Sequence, residues 1–284
     1  MNVKSRTVLI ALLSSLGLAI VKLVVGLISS SISVLASALD SFADVCSMGI
    51  SLVAVRSAEK PADAKHQFGH GKAEAIAGLF QAAFIAVSAG YLIIQAFHRM
   101  IDGYMLVDEG VAIAIILLAL AVSIFLAHLM KRVGRATESA SIAAGALNFG
   151  ADVWTNAGVL LALGLELWAK IKNADPIISV IISLYIIISA LRIGHDAISQ
   201  LMDRSLPGDM IAIIDKCICS QGPMVRGYHR LRTRKVGAEK EIEFHLEIDR
   251  TASFNEAHNL TETIIVDIKR AIPGAIVTVH TDPK

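Results

Sequence analysis

"SIAAGALNFGADVWTNAGVLLALGLELW", residues 141–168, is apolar over a length sufficient to cross a bilayer, yet it holds Asn148 and Asp152 near its middle. An ionised carboxylate in hydrocarbon is costly, so a residue such as Asp152 inside a span points to a function for it. The rest of the chain agrees with a membrane setting. Of 284 residues, 55% are hydrophobic and 18% charged, and mean hydropathy is +0.63. That balance is too apolar for an ordinary soluble chain and indicates an integral membrane protein.

Apolar segments at 7–29, 31–55, 75–97, 110–130, 141–168 and 176–198 predict six transmembrane helices. The first follows Lys4 and Arg6, as a signal peptide would, but no small-residue cleavage site follows it and a second span comes at once, so it counts as a span. Lys4 and Arg6, then Arg56, Lys60, Lys65 and Lys72, then Lys131, Arg132 and Arg135 flank one side. They outnumber Arg99, Lys170 and Lys172 on the other side, which places both termini in the cytoplasm. The net charge of +1 and the lack of a long basic run argue against an acidic partner or nucleic acid. Cys46, Cys217 and Cys219 are too few and too scattered for a disulfide framework and read as reduced thiols, with Cys217 and Cys219 as a minor alternative metal pair.

After the sixth span the texture changes. Hydrophobic runs shorten and charge returns, and Pro207 with Gly208 marks a linker. The expected division is a transmembrane domain over 1–207 and a cytoplasmic domain over 208–284. The second reads helix, strand, strand, helix, strand. "DMIAIIDKCI" and "SFNEAHNLTETIIVDIKRAI" have helical spacing, while "YHRLRTR", "EIEFHLEID" and "AIVTVHTD" alternate with period two. In the middle strand Ile242, Phe244, Leu246 and Ile248 share one face, which turns His245 to the other with Glu243 and Glu247.

Three sets of polar residues stand out. In the second span Asp40 and Asp44 are one helical turn apart, and in the fifth Asn148 and Asp152 repeat that spacing. Bare carboxylates close together repel and resist burial, so convergence of this set requires a cation or protons; interhelical hydrogen bonding is the plainer alternative. The loop "PADAKHQFGHGKAEA" offers Asp63, His66 and His70, a donor set suited to a borderline divalent metal, although a charged loop is also simply a solvated one. The C-terminal region adds His229, His245, His258, His280 and Asp282, of which His280 and Asp282 lie two apart on a strand and point to one side.

In order, "SALDSFADVCSMGISLVAVRSAEKPADAKHQFGHGKAEAIAGL", then "NFGAD", then "LMDRSLP" and a closing "VTVHTDP" resemble the cation diffusion facilitator family, bacterial zinc and iron efflux type, nearly end to end. The resemblance implies a six-helix transmembrane unit, a homodimer and a metallochaperone-like αββαβ cytoplasmic domain. It also implies proton-coupled export of divalent metal (zinc, manganese or iron as substrate and as bound ions) across a bacterial inner membrane. Carried onto this chain, the implied transport site is Asp40, Asp44, Asn148 and Asp152. The implied loop site is Asp63, His66 and His70, and the implied cytoplasmic site is His229, His245, His280 and Asp282, with His258 as an additional ligand. Lys72 and Asp203 match an ion pair that the family places near the cytoplasmic membrane surface, holding the dimer.

One position departs from the pattern. Zinc-transporting members of the family carry histidine where this chain has Asn148. With an amide there, the four donors are all oxygen, a set that suits Mn²⁺ and then Fe²⁺ better than Zn²⁺. An enzyme is not expected, because His-Glu-x-x-His on a helix is absent and the Asp pairs lack a catalytic glycine motif. The rival expectation is a membrane-anchored metal sensor or scaffold that binds metal without carrying it.

Overall fold

The computed structural model describes residues 2–29, 32–102, 109–169 and 174–284. Within them run α1 (Val3–Ser29), α2 (Ile32–Ala58), α3 (Lys72–Asp102), α4 (Glu109–Thr137), α5 (Ala140–Ala169) and α6 (Ala174–Leu201). The C-terminal part holds α7 (Gly208–Cys219), β1 (Val225–Val236), β2 (Glu239–Ile248), α8 (Phe254–Ala271) and β3 (Ala275–Pro283). The chain divides into two compact units, one up to Ile198 and one from Ser199 to Lys284.

In the first unit, five helices among the described residues are long and apolar enough to cross a membrane. The sixth, α5, is 30 residues long, ample at 1.5 Å per residue for a hydrocarbon core of about 30 Å. It is packed among α2, α3 and α4, which accommodates its polar residues. The unit is therefore a six-helix transmembrane bundle. Several helices outrun the apolar segments read from sequence: α4 continues through Lys131, Arg132 and Arg135, since a helix end need not stop where hydrocarbon does. Lys170 and Lys172, used above for orientation, lie outside the described residues.

The bundle is held by close approach of small residues, as expected where lipid removes the hydrophobic drive between helices. A side chain on Gly78 would meet the backbone of Ala140 at 3.2 Å, and one on Gly145 would meet Met130 Cε at 2.5 Å. Around Gly145, Met48, Leu126, Met130, Ile142 and Phe149 form a buried cluster of α2, α4 and α5. Leu27, Val87, Ile181 and Leu191 face outward, where lipid satisfies them. Glu138, at φ 49, turns α4 sharply into α5.

The second unit is a three-stranded sheet in the order β1-β2-β3, antiparallel between β1 and β2 and parallel between β2 and β3. The two-period pattern decides its faces: Ile242, Phe244, Leu246 and Ile248 enter a core with Ile214 and Ile218 of α7 and Ile264 and Ile268 of α8. His245 takes the opposite face, as the alternation requires. A complete capping box between Ser253 and Glu256 starts α8. The observed αββαβ order matches that read from the sequence, with β1 starting three residues earlier, at Val225.

Candidate metal centres

The spacing of Asp40 and Asp44 on α2, and of Asn148 and Asp152 on α5, does bring the two helices into polar contact. Asn148 Nδ2 donates to Asp44 Oδ1 at 2.6 Å, a bond between residues 104 apart in the chain. Asn148 is buried, while Asp44 and Asp152 are half-buried and Asp40 is exposed at the bundle surface. Asp152 is close enough for its charge to act on both Asp44 and Asp40. The oxygens of Asp40, Asp44 and Asp152 do not all close to within 4.8 Å of one another.

From this set a column of buried polar contacts runs toward the start of α1 and α3. Gln81 Nε2 donates to Ser47 O at 3.1 Å, and Ser51 Oγ lies 2.6 Å from Ser141 Oγ. At its end, Lys4 and Glu74 form a buried ion pair at 2.7 Å, and Ser5 Oγ donates to Glu59 at 3.0 Å. Polar groups inside a bundle demand such partners, because lipid offers none.

The loop between α2 and α3 folds its donors together. Asp63 Oδ1 accepts from the backbone N–H of His66 at 2.7 Å and of Lys65 at 2.8 Å, an Asx-type turn. These bonds hold the Asp63 carboxyl below the usual carboxylate range. His66 Nδ1 and His70 Nε2 each lie 3.5 Å from an Asp63 oxygen, and the two rings are 4.5 Å apart. Gly69, at φ 76, makes the turn that returns His70 to Asp63. His70 Nδ1 is buried with no hydrogen-bond partner among the described residues.

On the open face of the sheet, strand register aligns three histidines. His229 of β1 pairs with His245 of β2, which pairs with His280 of β3, and neighbouring rings are 5.0 and 4.7 Å apart. Asp282 gathers them: its Oδ2 is 2.9 Å from His245 Nδ1 and 3.5 Å from His229 Nε2, and its Oδ1 is 3.2 Å from His280 Nε2. The hydrogen bond with His245 is the main reason that the Asp282 carboxyl is held below its ordinary range. His229, His245 and Asp282 can each place one donor atom within 4.8 Å of the others, as can Asp63, His66 and His70. Both groups are imidazole–carboxylate sets that fit a divalent metal in donor chemistry.

A family model for the cation efflux transmembrane domain matches residues 8–202, and one for the cation efflux protein cytoplasmic domain matches 206–284. This chain belongs to the cation diffusion facilitator family. It is 39% identical over 282 residues to the cation-efflux pump FieF of Serratia proteamaculans, covering 99% of this chain and 93% of that one. It is 37% identical to the same pump of Salmonella arizonae, covering 98% and 92%. A solved metal-bound C-terminal domain of the CzcD transporter from Thermotoga maritima aligns at 28% identity over 28% of this chain and 94% of that chain, with a TM-score of 0.25.

His258 is exposed on α8 and stacks on Phe254 at 6.3 Å, away from the open-face histidines. Lys72 opens α3. Asp203 follows α6 with φ 57 and accepts from Arg234 Nη1 at 3.2 Å. Arg234 also bonds Glu241. Cys217 and Cys219 are free thiols, both raised above the ordinary range, first by burial and then by nearby Asp267 and Asp215. Glu247, 3.3 Å from His229 Nδ1, borders the histidine row; its own alternation beside His245 was the signal that it shares that face. The sequence reading also passed over Lys22, buried in α1. An ionisable residue inside the apolar run 7–29 was the available sign.

Proposed function

We propose that this protein exports divalent metal cations from the cytoplasm in exchange for protons, as a homodimer in a bacterial inner membrane with both termini cytoplasmic. The observation that carries this is the Asn148–Asp44 hydrogen bond, which joins α2 and α5 one helical turn from Asp40 on the first and Asp152 on the second. The cation moved is the substrate of Asp40, Asp44, Asn148 and Asp152. Residues 1–207 conduct it, and residues 208–284 bind metal and hold the dimer. Asn148 contributes only a neutral oxygen and no titratable group, so exchanging protons ride on the three carboxylates. Metal displaces them on the cytoplasmic side, and protonation releases metal on the other. Rocking of helices about a site near the midplane gives alternating access, as in other transporters built around such sites.

The four oxygen donors favour Mn²⁺, then Fe²⁺, with Zn²⁺ and Cd²⁺ as weaker substrates. Asp63, His66 and His70 in the loop, and His229, His245, His280 and Asp282 on the sheet, hold resident metal, with His258 as an additional ligand. Lys72 and Asp203 pair near the membrane surface to steady the dimer.

A sensor or scaffold that binds metal without moving it is the second reading, favoured by one observation: the loop and sheet donors are closely gathered and the membrane carboxylates are not. Purified protein in liposomes with a pH gradient, offered Mn²⁺, Fe²⁺, Zn²⁺, Cd²⁺ and Co²⁺ in turn, separates the two. Metal uptake that collapses the proton gradient is expected. Binding without uptake for all five would leave only the sensor.

A further inference from the structure

Lys22 sits on α1 in the run "GLAIVKLVVGL", only 7% exposed. Its Nζ donates to Ser41 Oγ at 2.8 Å and reaches the Ser37 carbonyl at 3.4 Å, both on α2. Ser37, Asp40, Ser41 and Asp44 follow the spacing i, i+3, i+4, i+7 and so share one face of that helix. The ammonium is thereby fixed against the same face that carries Asp40 and Asp44. The charges of Asp152, Asp44 and Asp40 all act on it. Among the described residues its hydrogen bonds go to two neutral groups, which alone would make burying a charge unfavourable.

We propose that Lys22 is a specificity-determining positioning residue that sets the charge of the transport site. Three carboxylates against one ammonium leave a formal charge of −2, which one divalent cation cancels. A tethered cation also limits how tightly the site holds its cargo, since it repels metal at short range in a medium of low dielectric. Lys22 thus trades affinity for release. It does not ligate the metal; it acts through the three carboxylates. This inference rests on the transport-site reading above.

The test uses the full-length protein in liposomes, with Mn²⁺ and Cd²⁺ as probes and folded dimer confirmed for every variant. Lys22→Met removes charge at similar length, Lys22→Gln keeps a donor for Ser41, and Lys22→Arg keeps the charge. Both uncharged variants are expected to lower KM about tenfold, or about 1.4 kcal/mol, and to lower kcat, while Lys22→Arg stays within about twofold of the parent in both. Unchanged or raised KM in the uncharged variants overturns the proposal. So does equal impairment of all three, or loss of folded dimer in both uncharged ones, because each makes the lysine structural. Asp44→Ala is assayed beside them. If it still transports, the transport-site reading itself fails; if it is inactive while Lys22→Met keeps the parent KM, only the role of Lys22 falls.

Discussion

His245 Nδ1 lies 2.9 Å from Asp282 Oδ2, and the strand register sets both beside His229 and His280. A hydrogen-bonded imidazole–carboxylate pair is oriented before any metal arrives, so less order has to be created on binding. Residues 206–284 enclose a core of their own, from Leu206 to Ala275, and are expected to fold alone. Zinc at a hundred times Kd stabilises a single site by about 2.7 kcal/mol, a rise in Tm on the order of 10 °C for a domain this small. Changing His245 and His280 together to Ala is expected to abolish that rise, as read by thermal unfolding with and without Zn²⁺. A rise that survives the double change would assign zinc to other ligands.

Asp249 caps the end of β2 in a different way. It accepts from Thr251 Oγ1 at 2.6 Å and Thr251 N–H at 2.9 Å and is bonded by Arg226, which together hold its carboxyl far below the ordinary value. A depressed folded pKa means that the stabilisation is complete above the unfolded value of about 3.9 and fades as pH falls from there through the folded value. Asp249→Asn is therefore expected to lower Tm at pH 5, with the gap to the parent narrowing from about pH 4 toward pH 2. Parallel Tm curves over that range would show that the ionised carboxylate contributes nothing.

Local periodicity carried most of the fold. The alternation of Ile242, Phe244, Leu246 and Ile248 against His245 fixed both faces of β2, and the i, i+4 spacing of Asp40 with Asp44 and of Asn148 with Asp152 pointed two helices at one place. Relationships between residues distant in sequence were less legible. Lys22 was passed over because one polar residue barely disturbs an apolar window, and its meaning depends on Ser37 and Ser41 of the next helix. The bond from Arg234 to Asp203 depends on how β1 returns past the end of α6, which no short-range pattern records. The bulge between His229 and Arg232, with Arg230 at φ 53, likewise lies in a stretch that reads as plain alternation.

The transport site itself is tested by truncating its carboxylates. Asp44→Ala and Asp152→Ala each remove oxygen donors from half-buried positions without opening the packed cluster of Met48, Met130, Ile142 and Phe149. Folded dimer is expected to survive in both, and uptake to fall at least a hundredfold, since loss of one ligand both weakens cargo binding and removes a proton carrier. More than about half the parent rate in either variant would take this set out of the transport path.

Asn148 decides between metals. Its Nδ2 donates to Asp44, which leaves the amide oxygen as the atom available to a cation and makes the site a set of hard donors. Asn148→His offers a nitrogen and a group that titrates near neutral pH, and nitrogen donors favour Zn²⁺ over Mn²⁺. Selectivity for Zn²⁺ relative to Mn²⁺ is expected to rise about tenfold, or about 1.4 kcal/mol of differential binding. The pH dependence is expected to change as well: an imidazole competes with metal for a proton as pH falls through roughly 6.5, so the variant loses affinity across a window in which the amide has no proton to take up. Zn²⁺ and Mn²⁺ uptake by both proteins at pH 5.5, about 6.5 and about 7.5 reads both effects. Identical preference at every pH would mean that Asn148 orients Asp44 without touching the cargo, and that site geometry, not donor chemistry, selects the metal.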